Sequence, residues 1–199
     1  MNCAELNLKG HVRACLAGDW IVLLDLRGDR YWALPQSMSQ GAMRNRLAKH
    51  GFLRADEEPL PKRIPPLFSG SGAPSRMPDL ALALRSGLWA HGVVKSGRID
   101  KAFSLIERRK RKLVTIGADG ARAVIARFDE LRPWLPWRYV CLFNSLCLSR
   151  FLLEHGVAAD LVIGVRARPF AAHAWVELEG RVLDPGNEDC PSFVEIARA

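Results

Sequence analysis

A thiol, an imidazole and a carboxylate are the parts of a cysteine acyl-transfer site, and Cys141, His173 and Asp184 follow one another in the second half of this chain. In such a site the thiolate attacks a carbonyl carbon. The imidazole takes and returns the proton, and the carboxylate fixes the tautomer and supports the ring's charge. With five Cys and five His in 199 residues, their order alone means nothing. Placement is what counts. Cys141 opens an apolar stretch just after Pro133 and Pro136, where a helix start leaves backbone N–H groups unpaired and its dipole favours an anion. A thiol there ionises more readily than a free one, and its own N–H is a candidate oxyanion donor.

The elements that must position these residues can be read from periodicity. Residues 139 to 155, YVCLFNSLCLSRFLLEH, are apolar nearly all round with Gly156 as a stop, which predicts a helix inside the core. Asp160 to Arg166 and Ala171 to Leu178 read as strands, and Glu179-Gly180 as a turn into Arg181 to Asp184. If Glu179 and Gly180 are the two turn residues, Leu178 faces Arg181, 177 faces 182, 176 faces 183 and Trp175 faces Asp184. His173 then shares a face with Asp184 and lies diagonal to it. A slip of one residue would send Asp184 to the other face.

The remaining cysteines and histidines read as bystanders. Cys147 is a buried apolar position, Cys190 an exposed thiol near the chain end, and His155 a helix C-terminal cap. His11, His50 and His91 have no carboxylate at a telling spacing. The cysteines form an odd, scattered set without a C-x-x-C pair, which indicates neither a disulfide framework nor a zinc finger, and reduced thiols in a cytoplasm are expected.

Upstream of these elements the chain divides. Six of the twelve prolines fall between Pro59 and Pro78, joined by Gly and Ser at 69 to 75, which is linker composition. The expected division is a first module over 1–57, a linker over 58–79 and a second domain over 80–199. In the first module, residues 18 to 34 read as two strands about a turn at Arg27-Gly28-Asp29, His11 to Leu16 as a third, and Gln36 to His50 as a helix with Met43, Leu47 and Phe52 turned inward. So small a module buries little surface and needs something to dock on. The second domain opens with helices over Leu80 to Val94, Ile99 to Leu113 and Ala121 to Leu131. The expected class is α+β, with helices, a buried helix carrying the cysteine, and an antiparallel sheet.

Composition narrows the function classes. At 49% hydrophobic and 25% charged residues the chain is globular, and no uncharged apolar run is long enough to span a membrane. The start lacks the pattern of a secretion signal. Twenty-nine Lys and Arg against twenty-one Asp and Glu give +8, a balance that suits nucleic acid, anionic lipid or an acidic peptide. The run from Glu107 to Lys112 has no interleaved aromatics and reads as a solvated helix face, which disfavours nucleic acid. No G-x-x-x-x-G-K-[ST] is present, so no nucleotide site and no cofactor is assigned.

Cys141-Leu-Phe-Asn-Ser145, Leu161-Val-Ile-Gly-Val165, Pro169-Phe-Ala-Ala-His-Ala-Trp-Val-Glu177 and Gly180-Arg-Val-Leu-Asp184 together resemble the lasso-peptide maturation proteases, the transglutaminase-like B proteins of ribosomal peptide pathways. The likeness spans about Phe128 to Pro185 and implies a transglutaminase or papain-like domain with Cys141, His173 and Asp184 as the catalytic residues. At the third position the chain carries Leu183-Asp184-Pro185, where members often have Asn-Asp. The first half, through Ile21-Val-Leu-Leu-Asp-Leu-Arg-Gly-Asp-Arg-Tyr-Trp-Ala-Leu34, is similar to PqqD-like winged peptide-recognition modules. That resemblance implies that a precursor's leader peptide adds a strand at Arg30, Tyr31, Trp32, Ala33 and Leu34 and packs against Met43, Arg44 and Leu47. The helical part is shorter than the family's usual three helices.

The resemblance thus implies a leader peptidase, a thiol protease whose product's freed amine is closed into a macrolactam by an ATP-dependent cyclase partner. Two alternatives use the same residues differently. One is a transamidase that passes the acyl group to an amine instead of water. The other is a non-catalytic protein that binds peptide or nucleic acid.

Overall fold

The computed structural model describes residues 6–53, 77–113, 118–137, 140–183 and 190–199. The N-terminal sheet is an antiparallel meander of β1 (Val12–Ala17), β2 (Trp20–Asp25) and β3 (Arg30–Pro35), in that spatial order. The expected turn at 27–29 joins β2 to β3, with Asp29 at a φ of 48°, a left-handed position that Asp tolerates better than most residues. Helix α1 (Gln40–Lys49) starts later than the pattern suggests, because Ser39 accepts the Ala42 N–H and caps it.

Alternation along these strands gives the sheet two apolar faces. Val12, Ile21, Leu23 and Leu34 pack on Met43, Leu47 and Phe52. Cys15, Ala17, Val22 and Leu24 join the large core of the second half, where Phe103, Phe128 and Phe151 are also buried. The small module therefore docks, as its size requires. Its β2–β3 turn is held as well: the Asp100 N–H donates to the Leu26 carbonyl at 2.9 Å, and Arg27 lies 3.6 Å from the Asp100 carboxylate.

The second half begins with α2 (Met77–Ser96), α3 (Ile99–Lys110) and α4 (Ala118–Leu131). Of the expected linker, residues 58–76 lie outside the described residues, while Met77 to Asp79 belong to the first turn of α2. Asp79 anchors that turn, because its buried carboxylate meets Nε2 of His155 at 2.9 Å and Arg127 at 3.3 Å. The other ring nitrogen of His155 lies 2.9 Å from the Phe151 carbonyl, and the residue is the C-cap of α5 (Cys141–Glu154).

Helix α5 is buried along most of its length, from Phe143 to Ser149 and from Phe151 to Leu153. It lies against an antiparallel sheet of order β6-β5-β4-β7, built from β4 (Asp160–Arg166), β5 (Ala171–Leu178), β6 (Arg181–Val182) and β7 (Val194–Arg198). The architecture is α+β, as the sequence pattern predicts. β7 was not anticipated: it returns from the end of the chain to pair with β4, and β1 packs beside it. In the basic run after Glu107, Arg109 pairs with Glu154 at 2.7 Å and Lys110 pairs with Asp160, so part of that charge is neutralised within the fold. Among the described residues no helix is long and apolar enough to cross a membrane.

Candidate active site

Cys141 is the first residue of α5. Val140 precedes it in extended conformation, and no side chain caps the helix. The Leu142 N–H in the first turn is thus left to meet the thiol, which is exposed. His173 of β5 hydrogen-bonds to the sulfur, and this contact is the largest of the influences that bring the Cys141 thiol below its ordinary range. Burial opposes it, while the N–H groups of Ala174 and Leu142 and the charge of the imidazole act with it. The result is a thiol that ionises more readily than a free one, beside an imidazole that can accept its proton.

Helix and strand are clipped together by Ser145, which is fully buried one turn into α5. Its hydroxyl lies 2.8 Å from the Ala174 carbonyl and 2.9 Å from the Cys141 carbonyl. Along β5, Ala174, Val176 and Leu178 face the α5 core, and His173 shares the opposite face with Trp175 and Glu177. Trp175 stacks on His173 at 5.9 Å between ring centroids, and Phe193 flanks it at 5.4 Å. The Trp175 indole N–H donates to buried Glu177 at 2.6 Å, and Arg198 meets the same carboxylate at 2.7 Å.

Opposite His173 stands Gly164. A Cβ there would lie 2.6 Å from the Trp175 ring and 2.9 Å from Phe193, so the residue's lack of a side chain is what lets both rings close on the imidazole. The β5–β6 hairpin has the expected register: Glu177 pairs with Val182 and Leu178 with Arg181, with Glu179 and Gly180 both at positive φ. The Leu183 N–H continues the pairing to the Val176 carbonyl at 2.8 Å. Asp184 lies outside the described residues.

The residues expected to hold a leader peptide divide between two faces. Trp32 packs with His50 and Phe52 on the α1 side, where Leu34, Met43 and Leu47 are already buried. Arg30, Ala33 and Arg44 are exposed. Tyr31 turns to the other face and meets Phe170 edge-on at 5.6 Å, three residues before His173. Burial, followed by the charges of Asp29 and the Cys141 thiolate, pushes the Tyr31 phenol up, so it keeps its proton. Among the described residues β3 pairs with β2 and no other strand, leaving one edge open.

Of the other thiols, burial pushes Cys147 up to about 12. Cys190 corrects the expectation of an exposed thiol. It is 5% exposed and packs with Val162, Trp175 and Val182 behind the site, because the short turn that carries it folds back to deliver β7. Cys3 lies outside the described residues. Among the described residues no three His, Cys, Asp or Glu side chains cluster as metal ligands would.

Sequence reasoning passed over Ser145 as a clip, Gly164 and Phe193 as neighbours of the imidazole, and Tyr31 as the residue that braces the turn before β5. A buried serine four residues after the cysteine and a glycine inside an apolar strand were the available signals for the first two. Tyr31 comes from β3 and Phe193 from the bend just before β7, and nothing in the sequence spacing ties them to His173.

Comparison with known proteins matches residues 89–198 to the transglutaminase-like superfamily. The microcin J25-processing protein McjB of Escherichia coli is 48% identical over 44 residues, a stretch that covers 22% of this chain and 21% of McjB. No solved structure matches significantly.

Proposed function

The chain belongs to the transglutaminase-like superfamily, and on that premise we propose that it is a leader peptidase of a lasso-peptide pathway, a thiol protease with Cys141 as nucleophile, His173 as general base and acid, and Asp184 as the group that orients the imidazole. The observation that carries this reading is the hydrogen bond between the Cys141 thiol, exposed at a helix start, and His173 on the neighbouring strand. The stretch shared with McjB, whose name assigns it the processing of microcin J25, supports the pathway part of the reading.

In this reading the thiolate adds to the scissile carbonyl, and the negative oxygen accepts from the N–H groups at the start of α5. Collapse breaks the C–N bond as the imidazolium of His173 hands its proton to the leaving amine. That amine is the new N-terminus of the core peptide. A water deprotonated by His173 then cleaves the thioester, releasing the leader's carboxylate and restoring the thiol.

The leader pairs with the open edge of β3, with Arg30, Ala33 and Arg44 at the exposed positions and the Trp32, Leu34, Met43 and Leu47 cluster as the floor beneath it. Holding the leader there raises the effective concentration of the scissile bond at Cys141. Residues 1–57 act as the recognition module and 80–199 as the protease. The freed amine passes to an ATP-dependent cyclase partner, in a cytoplasm where the thiol stays reduced.

Incubating the chain with a precursor peptide tests the proposal. Cleavage by the native chain, its loss in Cys141→Ala, and unchanged leader affinity in that variant are expected; cleavage that survives the substitution overturns it. Mass spectrometry of the products separates hydrolysis, which adds one water, from transfer to an amine, which does not.

A further inference from the structure

The face of β3 that turns away from the leader-binding edge's floor meets the turn that precedes β5. Tyr31 reaches across from the N-terminal sheet and lays its ring edge-on against Phe170, with centroids 5.6 Å apart and planes at 65°. Phe170 belongs to the turn that delivers His173, and it is 52% exposed. The N-terminal sheet braces this turn a second time, since the Arg168 guanidinium sits over the Trp20 ring at 5.4 Å. Arg168 and Trp20 also line a cleft of about 280 Å³ at the seam between the two sheets. Tyr31 is within electrostatic reach of Cys141, whose thiolate charge adds, after burial and the charge of Asp29, to the influences that push the phenol up.

We propose that Tyr31 and Phe170 form one wall of the substrate site, an aromatic surface contributed jointly by both halves of the chain, which seats an apolar side chain of the residue beside the scissile bond. The inference rests on the peptidase reading and deepens it by naming what the site selects. The catalytic centre is then composite: the thiol and imidazole come from the second half, and part of the surface that positions the substrate comes from the first. An apolar side chain is the occupant, because the exposed Phe170 ring, in the turn that leads into the strand of His173, gains by being covered, and the Arg168 guanidinium of the same turn is engaged with Trp20. Tyr31 and Phe170 are specificity-determining residues and take no proton.

The test measures kcat and KM on precursor peptides that carry Leu, Ala or Asp at each residue flanking the cleaved bond. The native chain is expected to prefer Leu over Asp at one of these positions by roughly 10- to 200-fold, the range an apolar pocket supplies. Tyr31→Ala and Phe170→Ala should each flatten that preference, while Tyr31→Phe, which keeps the ring, should retain it. Leader affinity and the iodoacetamide reactivity of Cys141 are measured on every variant, to show that the fold and the reactive pair persist.

A preference unchanged in both alanine variants overturns the inference and leaves the peptidase reading standing. If the native chain cleaves none of the peptides, the peptidase reading fails by itself. The wall is then read from Cys141 alkylation with a benzyl-bearing and a carboxylate-bearing haloacetamide: the alanine variants should lose the native advantage of the benzyl reagent, and equal ratios in native and variant chains overturn the wall as well.

Discussion

Ser145 Oγ lies 2.8 Å from the carbonyl oxygen of Ala174, a contact that joins the first turn of α5 to the residue following His173 on β5. Cys141 and His173 sit on different elements, 32 positions apart in sequence, and their alignment depends on that junction. Removing the hydroxyl leaves the buried Ala174 carbonyl short of a partner. Ser145→Ala should therefore lower stability by about 1–3 kcal/mol. It should also lower kcat more than KM, since the thiol would sit less well against the imidazole. Thermal unfolding and steady-state kinetics check the two effects, and wild-type values for both would deny the clip its role.

The hydrogen bond from His173 to Cys141 predicts a particular pH profile. Because the thiol is held below its ordinary range, chiefly by that contact, a larger fraction is thiolate at any pH below the ordinary thiol value. Alkylation of Cys141 should then persist to lower pH than that of a free thiol, and fall only as pH drops through the lowered value. His173→Ala removes the leading cause, so its profile should move upward toward that of a free thiol. Profiles that coincide would show that the imidazole does not act on the sulfur.

Most of this pair was legible from pattern, and the reason is local. The turn residues Glu179 and Gly180 fix the hairpin register, and an all-apolar segment behind two prolines fixes where α5 begins, so the positions of His173 and Cys141 follow from near neighbours. What stayed hidden depends on packing between distant segments. β7 is a short strand near the chain end, without clean alternation and with no turn signal tying it to β4, and it brings Phe193 to the imidazole. Cys190 was misread for the same reason: its acidic neighbours suggest exposure, yet its environment is set by Trp175 and Val162. Tyr31 reads as one more residue of a sheet edge until the docking of that sheet is seen.

Thiol chemistry should be selective. Cys15, Cys147 and Cys190 are buried, and burial pushes Cys147 up to about 12, whereas Cys141 is exposed and its thiol is lowered. A substoichiometric alkylating reagent on the native protein should label Cys141 before any of these three, and denaturation should make the three comparable with it. Peptide mapping of the labelled sites decides, and early labelling of Cys190 would contradict its burial.

Gly164 offers a probe of the imidazole's surroundings that leaves every reactive atom in place. Its missing Cβ is where Trp175 and Phe193 approach, at 2.6 Å and 2.9 Å, and the second of these contacts is a Cβ, close to the backbone, that cannot swing aside. Gly164→Ala should cost about 1–3 kcal/mol as an overpacked core position. Activity should fall further than stability explains, because the two displaced rings are those flanking His173. Activity measured well below the melting temperature separates the two effects, and full activity there would show that the rings do not hold the imidazole.

Gly87 gives the opposite balance. It lies inside α2, where Ala is favoured over Gly by about 1 kcal/mol, but an added Cβ would come within 2.5 Å of the outer ring atoms of Trp137. Those atoms end a side chain that is only half buried, so the ring can give way. The helix preference and the displacement should then nearly cancel in stability. They do not cancel at the site, because Trp137 also packs on Phe143 in the first turn of α5, at 5.8 Å, and lies four residues before Cys141. Gly87→Ala is expected to melt close to the native temperature while cleaving more slowly. A variant that keeps both the melting temperature and the rate would mean that the approach to Cys141 tolerates a displaced Trp137.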